Sequence, residues 1–141
     1  MKHVLIIEDD RLQAGALKLY LSETYPGVEI RWVATELQFR SEVLAETPLA
    51  YSVAIVDMML RWTDPSANMV MPPEEILQEG FFVAGLRCCR ELRKRGIRCV
   101  IFTALDPEKV PLEAGEEGQI PIVNKSRGFE ALQPHLKRLA G

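Results

Sequence analysis

The chain has 141 residues, 48% hydrophobic and 26% charged, enough to pack a core without disulfides or a structural metal and too apolar for intrinsic disorder. Seventeen basic residues against twenty acidic ones leave a formal charge of −3, which gives no general attraction to phosphate backbones. The opening run Val4–Ile7 is too short for a signal-peptide core and no later run is long enough to span a membrane, so a cytoplasmic protein is expected.

Val4–Ile7 reads as a strand buried on both faces, and it ends in Glu8-Asp9-Asp10. Arg11–Thr24 follows as a helix with Asp10 as its N-cap. Its period places Leu12, Ala16, Leu19 and Tyr20 along one side, and Pro26-Gly27 stops it. Val28–Val33 interleaves Glu29 and Arg31 with apolar residues, the pattern of a strand nearer an edge. Thr35 and Gln38 form a capping box for a helix running to about Glu46, closed by Pro48. Val53–Val56 is another buried strand and ends in Asp57.

The stretch from Arg61 to Glu79 is long for a connection inside a compact domain. It carries Trp62, Met69, Val70, Met71, Ile76 and Leu77, and Pro72-Pro73-Glu74-Glu75 can begin a short helix. A flap folded onto its own domain is the simpler expectation, and a partner-binding surface the other. Because it leaves from the same edge as Asp57, it can also limit access to that residue. The spacing of Phe82, Leu86, Cys89 and Leu92 predicts a helix over about 81–95, stopped by Gly96. Arg87, Arg90, Arg93, Lys94, Arg95 and Arg98 then form its solvated side and the turn after it, rather than a nucleic-acid site. Cys88, Cys89 and Cys99 lack a His-rich cluster and read as small buried residues of a reducing compartment.

Cys99–Phe102 is a strand ending in Thr103. Pro107, Pro111, Gly115, Gly118 and Pro121 then allow only a short helix, around Glu108–Ala114. Ile120–Val123 contains Pro121, reads as a strand near an edge, and leads into Asn124-Lys125. Phe129–Leu139 is a terminal helix interrupted or restarted near Pro134. Strand and helix thus alternate five times, the signature of an open, doubly wound α/β sheet. Ligands of such sheets sit beyond the carboxyl ends of the strands.

Glu8, Asp9, Asp57, Thr103 and Lys125 all end apolar runs and so converge on that edge. Singly, an Asp there is usually a turn residue, the Thr a β-branched strand residue and the Lys a surface residue. Together, three carboxylates repel one another unless a cation neutralises them, and a hard oxygen-rich site suits Mg²⁺. An Asp beside such a metal can accept a phosphoryl group, with a hydroxyl and an ammonium to bind the phosphoryl oxygens.

Over essentially its whole length the sequence resembles the receiver domains of two-component response regulators, of the chemotaxis-regulator kind. The carrying motifs are Val4-Leu5-Ile6-Ile7-Glu8-Asp9-Asp10, Ala54-Ile55-Val56-Asp57-Met58-Met59-Leu60, Val100-Ile101-Phe102-Thr103-Ala104 and Ile122-Val123-Asn124-Lys125. The resemblance implies one receiver domain over 1–141 with 61–79 as an extended loop after strand 3. It implies a flavodoxin-like parallel sheet of five strands in the order 2-1-3-4-5. Asp57 would accept phosphate from a histidine kinase or a histidine phosphotransfer protein. Asp9 would bind Mg²⁺ with Asp57, Glu8 would act through water, and the Met59 carbonyl would complete the ligands. Thr103 and Lys125 would bind the phosphoryl group, and the Met59 side chain would lie by the route of attacking water. The chain would then be no enzyme beyond self-phosphotransfer and autodephosphorylation. It would signal through contacts with an unspecified output protein or a second copy of itself. Gly141 follows soon after the last predicted helix, leaving no room here for a DNA-binding output domain, so the expectation is either a receiver acting alone or a piece of a longer chain.

Three departures from the family bear on signal output. They are the 61–79 loop; the switch positions, Ile122 where an aromatic often precedes the lysine by three residues and Ser126 where proline commonly follows it; and the Pro- and Gly-rich stretch between Thr103 and Lys125, where the family's usual fourth-helix output surface is expected to be altered. A receiver-shaped scaffold that binds its partner independently of phosphorylation is therefore the alternative. A phosphatase of the haloacid-dehalogenase type needs a second Asp where Met59 stands, and Met59 cannot transfer a proton. A dinucleotide-binding fold lacks its G-x-G-x-x-G.

Overall fold

The computed structural model describes residues 1–46, 48–66 and 68–140. Thr47, Ala67 (within the 61–79 loop) and Gly141 (the last residue) lie outside them. Five strands, β1 (His3–Ile7), β2 (Glu29–Val33), β3 (Val53–Val56), β4 (Cys99–Thr103) and β5 (Ile122–Asn124), form one parallel sheet in the order β2-β1-β3-β4-β5. This is the doubly wound order expected, with β2 and β5 at the edges. Alternate residues divide the core between two faces. Leu5, Ile7, Ala54, Val56, Cys99 and Ile101 pack with Phe39 and Val43, in the turn after α2 (Glu36–Gln38), and with α4 (Ala84–Lys94), which follows the short helix α3 (Glu74–Glu79) begun after Pro72-Pro73. Val4, Ile6, Val53, Ile55, Val100, Phe102 and Val123 pack with α1 (Arg11–Thr24) and α5 (Gln133–Ala140).

Asp10 caps α1 as predicted, its carboxylate accepting from the N–H groups of Leu12 (2.9 Å) and Gln13 (3.2 Å). The buried stripe of α1, however, is Ala14, Leu17 and Leu21, whereas Leu12 is 85% and Leu19 62% exposed. The helix carries two apolar stripes, and periodicity alone does not say which meets the sheet. Thr35 accepts from the Gln38 N–H at 3.1 Å, while the Gln38 side chain accepts from Ala34 rather than from Thr35. This helix passes at once into a π-type turn over Phe39–Val43. Pro121 lies outside the observed β5, which starts one residue later. The short helix expected around Glu108–Ala114 is instead a 3-10 turn at Pro107–Lys109, followed by turns. Its prolines and glycines leave too few consecutive helical positions. The terminal helix is split as expected, a 3-10 turn over Phe129–Leu132 preceding α5.

The helix expected over about 81–95 begins as a 3-10 turn, Phe81–Val83, before α4, and Phe82 is 56% exposed rather than part of the core. Its basic side is also not simply solvated. Arg87 is buried and makes a two-pronged pair with buried Glu36, Nε to Oε2 at 2.9 Å and Nη2 to Oε1 at 2.7 Å. Its remaining donors reach Glu79 (3.2 Å) and the Gly80 carbonyl (2.9 Å). Arg40 supplies a second cation to Glu36. Arg90 pairs with Glu116 through two bonds of 2.8 Å. Acidic partners far away in the sequence permit this burial, and helical spacing does not reveal them. Cys88, Cys89 and Cys99 are buried free thiols, as expected.

Removing Arg87 leaves buried Glu36 Oε1 without its partner, with Arg40 on Oε2 as the one remaining cation. Arg87→Met should therefore destabilise the chain by about 3–5 kcal/mol in urea unfolding, and adding Glu36→Leu should recover much of that loss. The Arg90 guanidinium, bonded to Glu116, pulls that carboxyl down to about 2. A folded-state value below the ordinary 4.5 means the pair's contribution is complete above about pH 5 and fades as pH falls toward 2. Unfolding curves taken across that window should show the decline in wild type and a shallower one in Arg90→Gln.

Candidate functional site

The carboxyl ends of β1, β3, β4 and β5 carry the predicted residues. Lys125, in the turn directly after β5, brings its ammonium to Glu8 Oε1 at 2.6 Å and to Asp57 Oδ2 at 3.1 Å. Glu8, Asp9 and Asp57 each offer a carboxylate oxygen within 4.8 Å of the others. Four of the six expected residues are therefore assembled in one place. Thr103 is fully buried at the end of β4, and its hydroxyl accepts from the Leu105 N–H at 3.3 Å. Met59 is half-buried two residues after Asp57, its side chain packed against the core on the α2/α4 face.

Burial and strand geometry set the electrostatics. Glu8 is nearly enclosed, and desolvation followed by the neighbouring Asp57 charge pushes its carboxyl up to about 7 against the pull of Lys125. Its second oxygen accepts from the Asp10 N–H at 3.2 Å. Burial alone would lower the Lys125 ammonium, but its bond to Glu8 and the two carboxylate charges hold it above its usual value. Asp57 is buried with its two oxygens in different states. Oδ2 is anchored by Lys125, whereas Oδ1 has no hydrogen-bond partner among the described residues. A buried carboxylate oxygen without a partner is costly, and such an atom at a functional edge is free for a ligand.

This donor set fits a hard divalent cation. Its ligands are oxygens only, and Lys125 answers only two of the three carboxylates.

Three neighbours were not apparent from the sequence. The Trp32 indole N–H donates to the Glu8 carbonyl at 2.7 Å and fixes the turn after β1. Arg61 lies beside Asp9, Nε to Oδ2 at 3.7 Å. Gly85, in the first turn of α4, meets the backbone of Asp57 directly. A Cβ there would stand 1.9 Å from the Asp57 carbonyl oxygen, and the Gly85 N–H donates to the Met58 carbonyl at 2.8 Å. An isolated Gly inside a helical pattern was the one available hint of close backbone approach. The position after Lys125 is also informative. The Ser126 N–H donates to the Asn124 side chain at 2.9 Å, and Asn124 in turn donates to the Leu105 carbonyl at 3.2 Å. A proline at 126 would have no N–H to give.

No protein-family model matches the chain, and no curated protein matches it. Solved structures do. The receiver domain of the Francisella response regulator 1452 shares 19% identity at a TM-score of 0.67, covering 99% of this chain and 97% of its own. The response regulator TrrA of Thermotoga maritima, in complex with Mg²⁺-BeF, shares 22% identity at a TM-score of 0.66, covering 99% of each chain. The structure of the histidine kinase ThkA in complex with TrrA matches at 21% identity and a TM-score of 0.66 over 100% of both chains. The fold of this chain is thus the flavodoxin-like fold of response-regulator receiver domains, as the strand order indicates.

Gly85→Ala should cost about 3 kcal/mol in equilibrium unfolding, because backbone lies where the methyl would go. Gly15 has open space around a Cβ, so Gly15→Ala serves as the control and should not destabilise.

Proposed function

We propose that this chain is a phosphorylatable receiver. Asp57 takes a phosphoryl group from a histidine kinase or a histidine phosphotransfer protein, and phosphorylation controls contacts with an output protein. The observation that carries this reading is the asymmetry of Asp57, one oxygen held by Lys125 and the other buried without a partner. Oδ1 donates an electron pair to phosphorus, and the bond from phosphorus to the donor's leaving atom breaks with its pair. Lys125 stays beside Oδ2 and offsets the added negative charge. The Thr103 hydroxyl, at the end of the strand next to β3, accepts from the Leu105 N–H and keeps its own proton to donate to a phosphoryl oxygen.

Asp9, Asp57 and the Met59 carbonyl would hold Mg²⁺, with Glu8 acting through water. When bound, the ion supplies positive charge against the carboxylates and the incoming phosphoryl oxygens. The TrrA structures, one with Mg²⁺-BeF and one with a histidine kinase, support the cofactor and the partner class by likeness of fold. Three buried free thiols support a reducing, cytoplasmic setting. On this reading residues 1–141 act as one receiver with 61–79 as its inserted loop, catalysing only transfer onto Asp57 and loss from it.

A second reading, a scaffold indifferent to phosphorylation, draws support from output surfaces. Met69, Val70, Met71, Leu77, Phe81 and Phe82 are exposed, and a 3-10 turn with further turns replaces a helix between β4 and β5.

Incubation with acetyl phosphate and Mg²⁺ should add one phosphoryl group by intact mass, and Asp57→Asn should add none. An unchanged mass in folded wild-type protein would defeat the receiver reading. Equal partner binding by wild type and Asp57→Asn, with and without phosphodonor, would favour the scaffold.

A further inference from the structure

Lys125 answers Glu8 and Asp57 but not Asp9, the third carboxylate of the cluster. The cation beside Asp9 is Arg61, the first residue of the inserted loop. Its Nε lies 3.7 Å from Asp9 Oδ2, and its Nη2 donates to the Asp9 backbone carbonyl at 3.4 Å. The same Nη2 lies 3.4 Å from Asp64, within the insert. The backbone around Arg61 is fixed: the Glu36 N–H donates to its carbonyl at 3.0 Å, and the Leu37 N–H donates to the Trp62 carbonyl at 2.8 Å. The guanidinium is therefore aimed at the acid cluster from a rigid base, while the side chain itself is half-exposed.

We propose that Arg61 is the resident counter-charge of Asp9, competing with a divalent cation for that carboxylate, so that metal entry and the position of the 61–79 insert are coupled. The proposal rests on the receiver reading of the acid cluster and goes beyond it by assigning a regulatory residue and a direction. A guanidinium and a divalent ion cannot share one carboxylate closely without mutual repulsion. Metal uptake therefore requires Arg61 to leave Asp9 while Asp64, its partner within the insert, can keep hold of it. By linkage, whatever holds Arg61 on Asp64 alone tightens metal binding by the same factor by which metal favours that pairing within the insert. Trp62 is the natural reporter. It adjoins Arg61, its indole N–H donates to the Val70 carbonyl at 2.8 Å, and it lines an apolar cavity of ≈ 510 Å³ beneath the insert.

The test is calorimetric titration of Mg²⁺, at low salt, into wild type, Arg61→Gln and Arg138→Gln. The last removes an equal charge beside Arg98, which precedes β4 at the opposite edge of the sheet. Exposed ion pairs have strengths equivalent to about two- to five-fold in affinity. Arg61→Gln should thus bind Mg²⁺ about three-fold more tightly than wild type, and Arg138→Gln should stay within a small fraction of it. The Trp62 indole N–H resonance should shift on Mg²⁺ addition in wild type and start near its metal-bound position in Arg61→Gln. Equal affinities in Arg61→Gln and Arg138→Gln, or weaker binding in Arg61→Gln, would overturn the competition while leaving the cation site standing. A Trp62 resonance indifferent to Mg²⁺ would overturn the coupling to the insert. If neither wild type nor Arg61→Gln takes up Mg²⁺, the cation-site reading falls together with this proposal.

Discussion

One ammonium group holds the upper edge of this sheet together. Lys125 reaches two carboxylates that follow two different strands, and without it Glu8 and Asp57 would face each other as buried like charges. Their proximity follows from the parallel ladder, since β1 and β3 are paired in register up to Ile7 and Val56, one residue before each acid. The same geometry delivers Lys125 from β5, two strands away from β3, so a long flexible side chain is needed where a short one would fall short. Three carboxylates face two cations there, Lys125 and, beside Asp9, Arg61, and burial with the Asp57 charge raises the Glu8 carboxyl toward its neutral form.

Much of this was legible in the sequence because strand ends were marked twice, once by the loss of apolar residues and once by the chemistry of what followed. Val4–Ile7 into Glu8 and Val53–Val56 into Asp57 needed no long-range information. What stayed hidden depended on partners remote along the chain. The inward side of α1 was misjudged because Leu12 and Leu19 form as good a stripe as Leu17 and Leu21, and only the sheet selects between them. Arg87 looked like one more wet arginine because Glu36, its buried partner, lies 51 residues earlier. Arg61 showed nothing in its neighbours to connect it to Asp9, 52 residues away. Lys125, by contrast, was found despite a separation of 117 residues from Glu8, because the resemblance in motif order supplied what spacing did not.

The insert after β3 is tied to its host by polar bonds rather than by a core of its own. Arg87 grips Glu79 and Gly80 at its far end, Glu36 and Leu37 grip Arg61 and Trp62 at its near end, and Leu60 bonds to Phe81 across the gap. Apolar side chains left outside this frame include the stacked pair Phe81 and Phe82, with ring centroids 4.3 Å apart. Directional bonds thus fix where the segment begins and ends, while Met69, Val70, Met71 and Leu77 between them remain on the surface.

The absence of a side chain at Gly85 has a mechanical consequence. Helix α4 rests on the peptide plane of Asp57 with no cushioning methylene between them, so the two behave as bodies in hard contact. Any sub-ångström lift of that plane is transmitted undamped into the start of a rigid rod. Only about half a turn of that rod lies between Gly85 and Arg87, the arginine that clasps the end of the insert.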